Sequence, residues 1–409
     1  MAKQVTVLVC GAGNGGHAAA GLAASRENIE ARVLTLFPGS AERWTNIMKE
    51  NNLRITVDEG DTGIRNGQPI DFNVKLPFIT NDASKAVPGA DVIIFTSPAF
   101  AHQSYLEAIE PYVQPNTTIV GMPGQPGFEF QVFDVLKDKA NQCVIMSYES
   151  LPWACRIAEF GKCVHILMVK VNLMGCIIRG RSMPSYDPME TVQRVMGKAP
   201  ILTVANNYIE PILATKAIIH PPIMYGKWKN WDGKPLDKKP LFYQGLDEDQ
   251  ARYLGGISDE LVATAKAIAT QRPEVNLSGV LQLYDWYLRD HKPYIKDSTS
   301  LQTVLQTDTA YDGLVHPMKE TEDGKFVPDF RYRYLTEDVP YGLAVTKGLA
   351  QIAGVPTPYH DEVIAWCQKQ LGKEIIVGDE LKGKDIGSTR CPQRYGINSL
   401  DALVKSITF

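Results

Sequence analysis

The stretch VTVLVCGAGNGGHAAAG, Val5 to Gly21, decides how the first part of the chain is read. An apolar run, Gln4–Cys10, breaks into a glycine turn and then settles into alanines. Gly11, Gly13 and Gly16 fit G-x-G-x-x-G directly after a strand-like run and at the start of a small-residue helix, the context this motif requires. The first glycine permits a tight turn, the second lets backbone approach a pyrophosphate, and the third lets helix and strand pack closely. With Asn14 and Gly15 between them, they would aim the free N–H groups of a helix N-terminus at phosphates. Glycines in a turn are often only a turn, but the strand before and the pattern behind these favour dinucleotide binding. His17, directly after the turn, reads as a helix-start residue near the cofactor rather than as a catalytic base.

Working outward, the first half alternates β-branched runs with helical patterns. Gln4–Cys10, Ala31–Leu36, Asp91–Phe95, Thr117–Gly121, Cys143–Ser147 and Val164–Val169 read as buried strands. Ala18–Ala24, Ala41–Lys49 and Gln103–Tyr112 read as helices between them. Such alternation implies a parallel sheet covered on both faces. After about Leu202 helical periodicity takes over, with helices expected over Glu248–Thr270, Ser278–Arg289, Glu337–Ile352 and Asp361–Leu371. Tyr225–Gly245 reads as a long ordered loop. The expectation is an α/β protein: a doubly wound Rossmann-type dinucleotide-binding domain over residues 1–205, then a mainly α-helical substrate domain over 206–409.

Composition narrows the function. A chain of 409 residues exceeds what one core usually organises, and a net charge of −4 supplies no basic field for nucleic acid or a membrane surface. No segment has the apolar length of a membrane span, and Asn14 with its glycines interrupts what would be a signal sequence. The 7 cysteines are scattered without a CxxC pair, which suggests buried thiols in a reducing cytoplasm and gives no sign of a metal site.

The second strand, RVLTLF, ends in Leu36 and Phe37 rather than in the acidic residue that binds the ribose of NAD, so this position leaves NAD and NADP both open. Arg43 fits a 2′-phosphate, the adenine face or plain solvent. The loop TSPAFA, Thr96–Ala101 with Pro98, follows a strand where ligands of doubly wound sheets lie.

Two segments of the helical half could supply chemistry. In NNYIEPILATKAIIHPP, His220 reads as ending a helix stopped by Pro221 and Pro222, with Lys216 one turn earlier on the same face. His220 is then either an acid–base group favoured by the helix dipole or a simple cap for orphan carbonyls. In RYRYLTEDVPYGL, Thr336 reads as an N-cap, with Asp338 in the first turn either as a dipole partner or as a functional carboxylate. Arg333 could clamp a carboxylate through its fork, though exposed arginines are common. Hydride transfer needs a carboxylate anchor, a proton donor and something to orient that donor, and these three residues offer one of each.

The segments GAGNGGH, RVLTLF, PAFAH, PGFEF, LPWACRI, GKPLDKKPLFYQG, RYLTEDVPYG and TRCPQRYG resemble the opine dehydrogenase family of marine invertebrates over essentially the whole chain. The resemblance implies reductive coupling of pyruvate to an amino acid with NADH, regenerating NAD in anaerobic glycolysis, and a monomeric enzyme with its active site in an interdomain cleft. It implies that His220 is the acid–base group, that Asp338 is its dyad partner, and that Arg333 holds the keto-acid carboxylate with help from Gln125. It favours NADH, since the family's second strand also ends in LTLF. Glu149 matches a carboxylate that faces the cationic end of the substrate in the arginine-using branch, and Trp286 is a candidate wall of the same pocket. Where that branch carries bulkier residues, this chain has Ala214 and Lys216, which suits a small or anionic-ended amino acid such as alanine, glycine, β-alanine or taurine. L-Arginine stays open through Glu149, as does a dehydrogenase acting on a 2-hydroxy acid or a sugar phosphate.

Overall fold

The computed structural model describes residues 4–57 and 70–405. They fall into two compact units, one running to Pro211 and one starting at Ile212.

The first unit contains strands β1 (Val5–Cys10), β2 (Ile29–Leu34), β3 (Leu53–Val57), β4 (Ile70–Val74), β5 (Phe78–Thr80), β6 (Val92–Phe95), β7 (Thr118–Gly121), β8 (Val144–Tyr148), β9 (Trp153–Glu159), β10 (Cys163–Val169), β11 (Asn172–Arg179) and β12 (Ile201–Val204). Eight of them form one sheet in the order β12-β11-β8-β7-β6-β1-β2-β5. From β5 to β8 all neighbours are parallel. Counted among themselves, those strands have the 3-2-1-4-5-6 order of the dinucleotide-binding fold, with the strand order, not the strand direction, reversing between β1 and β6. Every residue of β1, β6, β7 and β8 is buried, as expected of strands covered on both faces.

The run 164–169 departs from the expected single sheet. It lies in β10 of a separate four-stranded sheet, parallel to β3 and antiparallel to β9. Leu167 and Met168 are exposed there, so the run is only half covered. Apolar content marks a strand but does not say which sheet pairs with it.

The second unit is mainly helical, with one small hairpin of Met318–Glu320 and Phe326–Pro328. Its longest helix, Glu248–Gln271, opens on a capping box in which Asp247 accepts from the Gln250 N–H and the Gln250 side chain accepts from the Asp247 N–H. Leu254, Ile257, Leu261 and Ile268 form its buried stripe. Three expected elements are redrawn. The helix expected over 278–289 starts at Leu283, where Gln282 caps it. The helix expected over 337–352 is a π turn, Val339–Leu343, followed by an α-helix, Ala344–Ala353. Pro340 lies within that turn and lacks the N–H an α-helical ladder requires. Tyr225–Trp228, read as loop, completes the helix His220–Trp228.

Candidate active site

The carboxyl ends of β1 and β6 carry the glycine turn and the TSPAFA loop side by side. Gly11 has φ +128°, a backbone open to glycine, and a Cβ there would stand 3.0 Å from Thr96 Oγ1. A Cβ on Gly16 would fall 2.1 Å from the carbonyl oxygen of Gly11, so only glycine lets the helix pack on the turn. Gly13 is exposed and a Cβ there would meet nothing within 4 Å, so the fold itself does not require glycine at that position. The helix Asn14–Ala24 has no side-chain cap and no acidic residue in its first turn, which leaves its positive end available to an anion. These residues fit a dinucleotide pyrophosphate. Gly15 is buried under Leu151, while the side chain of the exposed Asn14 accepts from the Ile157 N–H at 2.9 Å.

Phe37 and Pro98 are exposed, Phe37 at 75 %. The exposed Arg43 lays its guanidinium 4.5 Å from the Phe160 ring centroid. His17 is fully buried, stacked on Trp44 at 3.8 Å, with Nε2 accepting from the Gly161 N–H at 2.9 Å. Burial lowers its pKa to about 4, so it is a neutral packing residue that pins the 161 turn to the helix. Gln125 is half-buried with φ +62°, in the loop after the cis Met122–Pro123 bond. Glu149, also half-buried, follows β8 and accepts from the Met174 N–H at 3.3 Å.

The second unit brings His220 and Asp338 together, Nδ1 to Oδ2 at 2.6 Å. His220 does not end a helix. It opens the helix His220–Trp228, with Pro221 and Pro222 in the first turn, where their missing N–H groups cost nothing. The dipole argument for a helix C-terminus therefore falls, and so does the shared helical face, because Lys216 precedes the helix. Thr336 is likewise no N-cap: it ends the short helix Arg333–Thr336. Burial pushes the Asp338 carboxyl above the usual range, and the charge and hydrogen bond of His220 pull it back. Arg333 is largely exposed and pairs with the buried Glu337 at 2.7 Å. Its charge also lowers the pKa of Asp338. Lys216 lies with Nζ 4.2 Å from the Trp286 ring centroid and donates to the Ala214 carbonyl at 2.6 Å.

Two aromatic partners escaped the sequence reading. The Tyr334 ring lies parallel to the His220 imidazole at 3.8 Å, and the Tyr243 hydroxyl stands 3.0 Å from Nε2. Tyr243 comes from the lysine- and proline-rich loop GKPLDKKPLFYQG, where the one available signal was an aromatic pair, Phe242–Tyr243, at the end of a polar stretch. Among the described residues no group of three or more His, Cys, Asp or Glu could hold a metal ion, and no helix is long and apolar enough to cross a membrane.

Comparison with known proteins adds the identity. The model of the NAD/NADP octopine/nopaline dehydrogenase alpha-helical domain matches residues 204–371. The chain is 87 % identical over 404 residues to an opine dehydrogenase of Haliotis discus hannai, covering 99 % of each chain. It is 44 % identical over 402 residues to a tauropine dehydrogenase of Arabella iricolor, covering 98 % of this chain and 100 % of the other. A solved structure of octopine dehydrogenase with NADH and L-arginine has a TM-score of 0.94 at 45 % identity, covering 99 % of both chains. The fold and these similarities define an NAD-dependent oxidoreductase acting on CH–NH donors. The chain belongs to the opine dehydrogenase family.

Proposed function

We propose that this chain couples pyruvate to a small or anionic-ended amino acid (alanine, glycine, β-alanine or taurine) and reduces the product of that condensation to a secondary amine. NADH, when bound, supplies the hydride. Gly11, Gly13, Asn14, Gly15 and Gly16 would hold its pyrophosphate, with Phe37, Arg43 and Pro98 as further contacts. Support for the chemistry comes from the His220–Asp338 pair at 2.6 Å. Asp338 orients the imidazole, and His220 gives or takes the protons of condensation and reduction. Arg333, which opens the short helix ahead of Asp338, is assigned the pyruvate carboxylate, since its fork matches a carboxylate bidentately. Gln125 and Glu149 are assigned as further substrate contacts.

The amino-acid choice rests on Lys216. Its ammonium already covers the Trp286 face, the surface a guanidinium would otherwise seek. It repels a cationic side chain and attracts a carboxylate or sulfonate. A second reading, L-arginine, is favoured by the half-buried Glu149 and by the octopine dehydrogenase solved with L-arginine. NADH oxidation with pyruvate, measured with and without alanine, glycine, β-alanine, taurine and arginine in turn, decides between them. Turnover with arginine alone would overturn the proposed substrate class. Turnover with pyruvate and no amine would overturn the coupling reaction.

A further inference from the structure

Taking His220 as the acid–base group, we infer that Tyr243 is its proton relay: the phenol holds Nε2 from the side opposite Asp338 and passes protons between that nitrogen and the reacting group. Three contacts fix the imidazole: Asp338 on Nδ1 at 2.6 Å, Tyr243 on Nε2 at 3.0 Å, and the parallel ring of Tyr334 at 3.8 Å. Asp338 alone would leave the ring free to swing about its hydrogen bond. Tyr334 fixes the plane, and Tyr243 fixes the remaining rotation.

A hydroxyl suits this place because it both donates and accepts. With the neutral ring protonated at Nδ1 towards Asp338, Nε2 carries a lone pair and the Tyr243 O–H donates to it. Both ring nitrogens are engaged, so a proton reaches Nε2 through the phenol: the Tyr243 O–H passes its proton to Nε2 while the phenol oxygen takes one from the reacting group, and the reverse transfer returns it. The contact persists through the cycle, and the tyrosine carries one proton before and after. Burial, with the nearby Tyr311, Tyr334 and Asp338, holds the phenol well above its usual pKa, so it stays protonated at working pH. Its own position is fixed in turn: Tyr243 stacks on Tyr311 at 3.9 Å, and the Tyr311 hydroxyl is engaged by that of Tyr287 at 3.2 Å. The groups acting on the site are thus His220, Asp338, Tyr334 and Tyr311 directly, with Glu337 and Arg333 acting through Asp338.

Tyr243→Phe keeps the ring and its stack while removing the hydroxyl. With the full-length enzyme, NADH, pyruvate and whichever amino acid gives turnover, kcat should fall about tenfold or more, short of the loss from removing His220 itself. KM for pyruvate and NADH should stay within about twofold, and the limb of the pH–kcat profile that His220 governs should move. Tyr284→Phe, which removes a hydroxyl of the same unit that donates to the Ser298 carbonyl at 2.7 Å and lies outside this cluster, should stay near wild type in both readouts. Unchanged kcat and pH limb in Tyr243→Phe overturn the inference, as does an equal loss in Tyr284→Phe. His220→Ala separates this from the parent reading: full activity there removes the assigned role of His220, whereas an inactive His220→Ala beside a normal Tyr243→Phe removes only the role of Tyr243.

Discussion

Nδ1 of His220 and Oδ2 of Asp338 meet at 2.6 Å although the two residues lie 118 positions apart. One opens a helix directly ahead of two prolines, and the other precedes a π turn. The carboxylate is buried, so its charge acts on the imidazole with little screening from water. If this pair manages the protons, His220→Ala should lower kcat by roughly 10²–10⁴-fold while NADH affinity, read by fluorescence titration, stays at the wild-type value. Asp338→Asn keeps the shape and should lose less.

The glycine turn allows a substitution that separates folding from cofactor binding. Gly13 is exposed, with nothing within 4 Å of an added Cβ, so Gly13→Ala should melt like wild type in the absence of cofactor. A bound pyrophosphate needs that space, and the NADH Kd should rise about tenfold or more, equivalent to about 1.4 kcal/mol. Gly16→Ala should instead lower the melting temperature, because its Cβ meets the Gly11 carbonyl at 2.1 Å. An unchanged Kd in Gly13→Ala argues against phosphate contact at this turn.

Lys216→Ala should raise KM for the amino acid and leave KM for pyruvate and NADH alone. The same change uncovers the Trp286 face, so any weak use of L-arginine should improve. Equal KM values for the amino acid before and after the change would remove Lys216 from the pocket.

His17 makes stability depend on pH in a defined direction. Its pKa is lowered to about 4 in the fold against an ordinary 6.5, so the unfolded chain binds its proton first. Stability is complete above pH ~6.5 and should fall as pH drops towards 4, by up to about 3 kcal/mol at 1.36 kcal/mol per unit. His316, lowered by burial to about 3, adds a loss of the same sign. His17→Gln keeps an acceptor for the Gly161 N–H but does not titrate, so its melting temperature should depend less steeply on pH than that of wild type. Parallel curves for the two proteins would contradict this assignment.

What the sequence by itself determined is local in origin. The strand, glycine turn and alanine helix of Val5–Gly21 are legible because strand propensity, glycine's conformational freedom and small-residue packing all act within a few residues. The alternation that follows likewise announced a parallel sheet, since strands covered on both faces must be apolar throughout. The same local rules misread the segment around His220: prolines after a helical run look like a stop, and they serve equally well in a first turn. Which of the two occurs depends on what packs there, and the buried Ile223 and Met224 carry the helix forward. Only the tertiary structure decided the rest. It put Val164–Val169 into a second sheet, laid Lys216 on Trp286, and brought Tyr243, Tyr334 and Asp338 onto the three sides of His220. Those contacts join segments far apart in the chain, and no periodicity or propensity encodes a meeting that is settled by how whole elements bury their apolar faces.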